Sequence, residues 1–345
     1  MGHPAGQDTY HVKSGGGRRL GSGENFGTIR GVARIKAIMT ASAAPKRRGQ
    51  LGYCSASLGQ ARSRFRGISP GSLGRKRKEA EARLRSIWRH NLSELCRVLD
   101  YNIETGILLY RISNELFPMA GLGRMRDVWD AFAGSSDSAA AAWKVRQYLS
   151  VGGRLTLHPK TTISIGSASK AVRKQSIADL DAHGRALDLL NLPRTHFAPI
   201  NIHLGGGRAG GKNLGRIQAS LEELTGGARE RLVFENEDKA FWTWQNIASQ
   251  LPGFPVTLDS HHHRINNQGE SLREAADSTY ETWGDNLPVR HVAEGARGEF
   301  DRVHHDWVAT LPQAFLFKGR PATDIEIEAR MKDLAVLHLK AKYGC

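Results

Sequence analysis

The chain has 345 residues, enough to bury a full core in one large domain or two small ones, and 49 Lys and Arg against 34 Asp and Glu give it a formal net charge of +15. No apolar run approaches the ~20 residues of a spanning helix, which excludes a helical membrane protein. The three scattered cysteines, Cys54, Cys96 and Cys345, form no CxxC pair and so fit a reducing compartment rather than a disulfide framework or a thiolate zinc site. The basic excess suits a polyanionic partner, although basicity alone does not choose between nucleic acid and a phosphosugar.

Residues 1–48 are rich in Gly, Ser, Ala, Lys and Arg without a hydrophobic period. They hold nine Lys and Arg against Asp8 and Glu24, and are expected to be a disordered basic tail without a catalytic role. Such an acid-poor start also fits a transit peptide or a start codon assigned too early. The folded domain is expected over 49–345. Gln50–Ser55 reads as a strand. A long basic loop follows at 59–78, carrying Arg62, Arg64, Arg66, Arg75, Lys76, Arg77 and Lys78 with Phe65 among them, a composition suited to phosphate contacts and one stacking contact. In 79–99, Leu84, Ile87, Trp88, Leu92, Leu95 and Leu99 recur at helical spacing. The chain then alternates. Strands are predicted at 106–112, 154–158, 198–203, 231–235, 255–259, 287–291 and 324–328. Helices are predicted at 125–149, 168–191, 212–224 and 238–250, then a weaker one, then 303–316 and 329–342. Eight strand–helix pairs imply parallel pairing, and a closed (β/α)8 barrel of α/β class suits about 300 residues better than an open sheet.

Polar donors sit at the ends of these strands. Ten of the fourteen histidines lie between His158 and His305, and LDSHHHRIN (258–266) packs Asp259 against His261, His262 and His263. Glu235 ends an apolar strand, and Asp324, Glu326 and Glu328 alternate onto one strand face, where unpaired carboxylates are costly to bury. A lone histidine is more often structural than a ligand. Donors at the ends of strands three to eight, where a barrel of this kind places its active site, are a different matter. His158, His203, Glu235, Asp259, His262, His291, His304 and Glu328 are therefore candidate metal ligands. Eight donors exceed one ion's usual four to six, so two or three divalent ions are expected. Mixed N and O donors point to Mn2+, Zn2+ or Fe2+ over Ca2+.

At these residues the sequence resembles the UV damage endonuclease family of UvdE-type repair nucleases. The resemblance runs from about Leu51 to Leu339 through LGYCSASL, LDYNIETGILLYRISNELFP (99–118), RLTLHP, NIHLGGG with GGK at 210–212, ENED, the Asp259–His262 pair and IEARMKDLAVLHL (327–339). It implies a TIM barrel related to endonuclease IV, and a cytoplasmic, nucleoid-acting monomer. The implied activity is metal-dependent nicking of duplex DNA on the 5′ side of UV photoproducts (cyclobutane dimers and 6-4 products), leaving 3′-hydroxyl and 5′-phosphate ends, with a metal-activated water as nucleophile. Mn2+ is the first expectation for the metal, with Zn2+ or Mg2+ as alternates. The family's ligand positions map onto the eight residues named above, with Glu235, His203 and Glu328 in the catalytic part. Its DNA contacts map onto Tyr53, Ser57, Thr161 and Thr162, and Arg62, Arg64, Arg66, Arg208 and Lys212 would hold phosphates.

Three positions depart from the family pattern. Val289 stands where a modified lysine ligand is expected, with Arg290 next. Thr161 and Thr162 replace a Gln–Tyr pair that probes the damaged bases. Ser57 replaces an asparagine. A same-barrel nuclease with another target, such as abasic sites, is therefore an alternative. A metal-dependent sugar isomerase or epimerase, and a non-catalytic DNA-binding remnant, are two others.

Overall fold

A computed structural model of the protein describes residues 48–59, 62–205, 211–239 and 241–345. The tail expected to be disordered lies outside the described residues up to residue 47, and so does Arg208. Eight short strands form one parallel sheet: β1 (Leu51–Cys54), β2 (Leu109–Ile112), β3 (Arg154–Leu157), β4 (Ile200–Ile202), β5 (Leu232–Glu235), β6 (Val256–Thr257), β7 (Val289–Val292) and β8 (Asp324–Ile327). Each strand pairs with its sequence neighbour, and β8 returns to pair with β1. The gap between β6 and β7 is spanned by a parallel bridge of Asp259 with His291 and by the His291 amide donating to the Leu258 carbonyl at 3.1 Å. The sheet is thus the closed barrel that the strand–helix alternation predicts.

Helices α1 (Arg77–Glu104), α2 (Arg126–Ala133), α3 (Ser136–Ser150), α4 (Lys170–Leu189), α5 (Leu214–Glu223), α6 (Trp244–Gln250), α7 (Ser260–Ile265), α8 (Leu272–Glu281) and α9 (Lys332–Tyr343) lie along the connections. All six apolar positions of the predicted first helix are buried on α1. Trp88 meets Trp129 edge-on at 5.5 Å, and Phe117 meets Trp129 at 4.7 Å, which ties α1 to α2 and to the loop after β2.

Several boundaries differ from the prediction, each for a local reason. The helix predicted over 125–149 is two, because Ser135 caps α3 by accepting from the Ser138 amide. The weaker helix after β6 is also two, α7 capped by Asp259 and α8 opened by a Ser271–Glu274 capping box. The predicted 238–250 helix begins only at Trp244, behind its Thr243 cap. The predicted helix at 303–316 does not form. Val308, Leu311 and Phe315 mimic its spacing, but Pro312 biases its predecessor away from helical geometry, and the segment packs these side chains as irregular chain. The β7–β8 connection therefore carries only a 3-10 turn and a small antiparallel hairpin (Leu316–Phe317 with Arg320–Pro321).

The lower lumen is closed by a fully buried ion pair. The Arg154 guanidinium donates to Asp324 Oδ2 at 3.0 Å and to the carbonyls of His196, Phe197 and Leu287 at 2.7 Å each. It also stacks 5.8 Å over the Trp283 ring. Removing one partner of such a pair strands the other's charge in the interior. Asp324→Ala is expected to lower folding stability by about 3–5 kcal/mol in equilibrium urea denaturation; a loss under about 1 kcal/mol would show that the pair does not hold the lumen together.

Candidate metal centre

The upper lumen is built by strand ends. β3 delivers His158, β4 His203, β5 Glu235, β6 Asp259, β7 His291 and β8 Glu328, each within two residues of the C-terminal end of its strand. Glu235 is the hub, only 1 % exposed. Its Oε2 lies 3.3 Å from His158 Nε2, 3.7 Å from His203 Nε2 and 3.2 Å from His291 Nδ1, and its Oε1 lies 3.3 Å from His262 Nδ1. Asn201 fixes the carboxylate by donating to Oε2 at 2.5 Å. Glu328 joins from the far side, 3.4 Å from His291 Nδ1 and 3.6 Å from His304 Nδ1. All eight residues singled out in the sequence thus meet in one place. Three overlapping triads, His158–His203–Glu235, Glu235–Asp259–His262 and Asp259–His291–Glu328, each offer donor atoms within 4.8 Å of one another.

Asp259 shows how local structure prepares the centre. Its Oδ1 caps α7, accepting from the amides of His261 at 2.7 Å and His262 at 2.8 Å. The cap orients the first turn so that His262 faces Glu235, and it leaves Oδ2 buried without a hydrogen-bond partner. His291 Nδ1 is likewise buried and without a hydrogen bond. Buried polar atoms without a hydrogen bond are rare and costly, and a divalent cation would satisfy both. The donor set, imidazole and carboxylate without thiolate, suits such an ion. In His158 and His262, Nδ1 lies 2.9 Å from the carbonyls of Pro159 and Asn236, so an N–H donated there leaves Nε2 as the free lone pair.

Electrostatics agree with a site made for cations. Burial opposes charge on Glu235 and Glu328, yet His291 with His203 holds Glu235, and Arg111 with His291 holds Glu328, well below the ordinary carboxylate range. Burial keeps His203 neutral, its pKa down to about 4. Burial opposes charge on His262 too, but Asp259 and then Glu235 raise its pKa to about 10. Glu235 and Glu328 similarly raise His291 against its burial. Protons on these two rings fill the role that metal ions would take.

Sequence reasoning missed Arg111 and left Glu326 without a role. Arg111 Nη1 reaches Glu328 Oε1 at 2.6 Å and Glu326 Oε2 at 3.3 Å from inside the lumen. The available signal was an arginine in the middle of a buried apolar strand, which needs an acidic partner. Two expected DNA contacts are corrected. Tyr53 is fully buried, and its hydroxyl donates to Asn102 Oδ1 at 2.8 Å on α1. Ser57 is fully buried and donates to Asp333 Oδ2 at 3.1 Å, while the Leu58 and Gly59 amides bind the same carboxylate. Neither side chain reaches a surface. Phe65, expected as a stacking ring, packs partly buried against the core.

By contrast Arg62, Arg64, Arg66, Thr161, Thr162 and Lys212 are exposed. Asn91 and Glu94 of α1 hold the backbone at Arg66 and Arg64, leaving the guanidinium groups outward. Val289 is buried against Val233 and Trp283. Arg290 turns away from the lumen, donating to Ala276 O at 2.6 Å and Thr279 Oγ1 at 3.1 Å, so it adds no ligand.

The model of one protein family, UV-endonuclease UvdE, matches residues 49–344. A UV DNA damage endonuclease of Deinococcus radiodurans is 29% identical over 300 residues, covering 81% of this chain and 90% of that protein. The solved structure of SacUVDE superposes with a TM-score of 0.70 at 24% identity, covering 86% of this chain and 99% of that one. A 3-keto-D-glucoside 4-epimerase of E. coli, YcjR, superposes at 0.51 with 11% identity, covering 86% of this chain and all of that one, a likeness of fold alone.

A pH dependence follows from the raised imidazoles. His262 has a folded value of about 10 against an ordinary 6.5. Its charge therefore stabilises the metal-free fold fully below about pH 6.5, and this part is lost as pH rises toward 10. The melting temperature of chelated protein is expected to fall across that window. Metal binding at pH 7 is expected to expel protons, giving calorimetric heats that vary with the buffer's ionisation enthalpy; buffer-independent heats would contradict the assignment.

Proposed function

We infer from its membership of the UV-endonuclease UvdE family, to which the chain belongs over residues 49–344, that this endonuclease of DNA repair nicks the phosphodiester on the 5′ side of UV photoproducts in duplex DNA. The observation that carries the reading is the eight-residue cluster centred on Glu235, at the end of the barrel where the exposed basic loops also emerge. When bound there, two or three divalent ions, Mn2+ foremost, would acidify the attacking water and neutralise charge building on the phosphate.

The chain's own residues divide the remaining work. His158, His203, Glu235, Asp259, His262, His291, His304 and Glu328 would hold the ions. The cluster is most open at His203 and His304, 27% and 30% exposed, so a phosphodiester would enter over these imidazoles. Arg62, Arg64 and Arg66 follow β1, Thr161 and Thr162 follow β3, and Lys212 follows β4. In a parallel barrel all of these connections share the C-terminal end. The cations there would hold phosphates on either side of the lesion, and the distorted pairing of a photoproduct would reduce the cost of drawing it from the stack. Thr161 and Thr162 are short and exposed, with no ring to wedge into the duplex. This favours abasic sites as the second reading. A sugar epimerase would have no use for the arginine loop.

The deciding measurement is nicking of supercoiled plasmid, irradiated or not, with Mn2+ and with EDTA. The expected outcome is metal-dependent nicking of irradiated plasmid alone; nicking confined to an abasic-site plasmid would move the assignment to the second reading. Alanine at Arg62, Arg64 and Arg66 together is expected to weaken binding of irradiated duplex by at least ~10-fold at low salt, and to reduce the slope of log K against log salt by up to about 3. An unchanged slope would remove the loop from the DNA interface.

A further inference from the structure

The alternation of β8 puts three carboxylates on the lumen face, each at a different depth. Asp324 at the bottom is neutralised by Arg154, and Glu328 at the top belongs to the metal centre. Glu326 lies between them, 1 % exposed, and none of the three donor triads includes it. Strand register places it directly beside His291 on β7. One carboxylate oxygen, Oε1, accepts the hydroxyl of Thr156 on β3. The other, Oε2, lies 3.1 Å from His291 Nε2 and 3.3 Å from Arg111 Nη1, within ion-pair distance of both but without an aligned hydrogen bond to either. Arg111 is shared, and it sits closer to Glu328, at 2.6 Å.

These contacts bear on which imidazole nitrogen would keep its proton once an ion is bound. An ionised carboxylate only accepts, so the nitrogen facing Glu326 is N–H. Arg111 Nη1 also approaches Nε2, but at 3.5 Å it is the more distant neighbour. With Nε2 keeping its proton beside Glu326, an ion that displaces the other proton would meet the lone pair on Nδ1. That atom is buried, has no hydrogen bond, and lies between the carboxylates of Glu235 at 3.2 Å and Glu328 at 3.4 Å. A carboxylate behind a ligating imidazole fixes its tautomer and orientation and raises its basicity.

We propose that Glu326 is a positioning residue of the metal centre: held by Thr156, it takes the Nε2 hydrogen of His291 and aims Nδ1 at the ion bound by Asp259, His291 and Glu328. The proposal rests on the metal reading of the cluster, though not on which DNA lesion is cut. His158 and His262 have backbone carbonyls behind their rings. Of these three, His291 is the one whose nearest acceptor on that side of the ring is a carboxylate rather than a carbonyl, so its ion gains most from the added negative charge.

The test is calorimetric titration of the full chain with Mn2+, comparing the unaltered protein with Glu326→Leu, Glu326→Gln and Thr156→Val. The leucine variant is expected to lose about 10–100-fold in affinity at one site while the others keep theirs. Glutamine, which retains an acceptor without the charge, is expected to fall between, and Thr156→Val to lose a few-fold. A folded leucine variant that binds within twofold of the unaltered protein at every site would overturn the proposal. If the leucine variant does not fold, glutamine and valine decide: both within twofold at every site would overturn the proposal equally, and graded losses at one site would support it. An unaltered protein that takes up no Mn2+, Zn2+ or Fe2+ would instead overturn the metal reading itself, and this proposal with it.

Discussion

Carboxylates in the lumen of a barrel must be neutralised by something, and that requirement organises this molecule from floor to mouth. Asp324, Glu326, Glu328, Glu235 and Asp259 are all directed into or around an interior from which water is largely withdrawn. Ionised and unpaired, such groups are expensive to bury. Arg154 answers the deepest, and Arg111 with His291 the middle one. Arg111 also reaches Glu328, and the uppermost group is otherwise surrounded by histidines, whose protons an ion can displace. Imidazoles gather only at the top, which is therefore the part able to hold metal, while the bottom is a structural plug closed by Arg154.

Much of this was legible in the sequence because barrel geometry and ligand chemistry leave the same mark. A short apolar run ending in His, Asp or Glu encodes both a strand and the end on which the site lies, so strands three to eight and six of the eight candidate donors followed from one pattern. What was not legible depended on relations across the chain. The pairing of Arg111 with Glu326 and Glu328 joins β2 to β8, more than 200 residues apart, and no local spacing reports it. The absent helix at 303–316 is the converse case. Val308, Leu311 and Phe315 bury as helical spacing requires, but the period records which residues turn inward and not which backbone carries them.

Tyr53 and Ser57 show the limit of carrying a role over by position. Each lies at the end of β1 or just beyond it, close to the mouth, yet Asn102 and Asp333 pull their hydroxyls into the shell between barrel and helices. The loop after β1 is consequently folded around Asp333, which also accepts from Tyr101 on α1 at 2.9 Å. The basic face begins only past that anchor, where the Arg64 and Arg66 backbones are fastened to α1 and their side chains are free. A backbone fastened to α1 keeps the loop in place while leaving its charge solvated.

The sheet is laced unevenly. Most neighbouring strands share three or four register pairs, but β3 and β4 share only Leu157 with Ile200, and β6 reaches β7 through the Asp259–His291 bridge and the His291 amide's bond to the Leu258 carbonyl. These two sparse seams are the ones above which His158 stands opposite His203 and Asp259 opposite His291. Each seam is closed by a single pair near the rim, directly below its ligands, and an ion seated between those ligands would reinforce the staves where the backbone lacing is thinnest. Cations in this barrel would therefore act as rivets as well as reagents, and a chain emptied of them would part first along the two seams from which its ligands come.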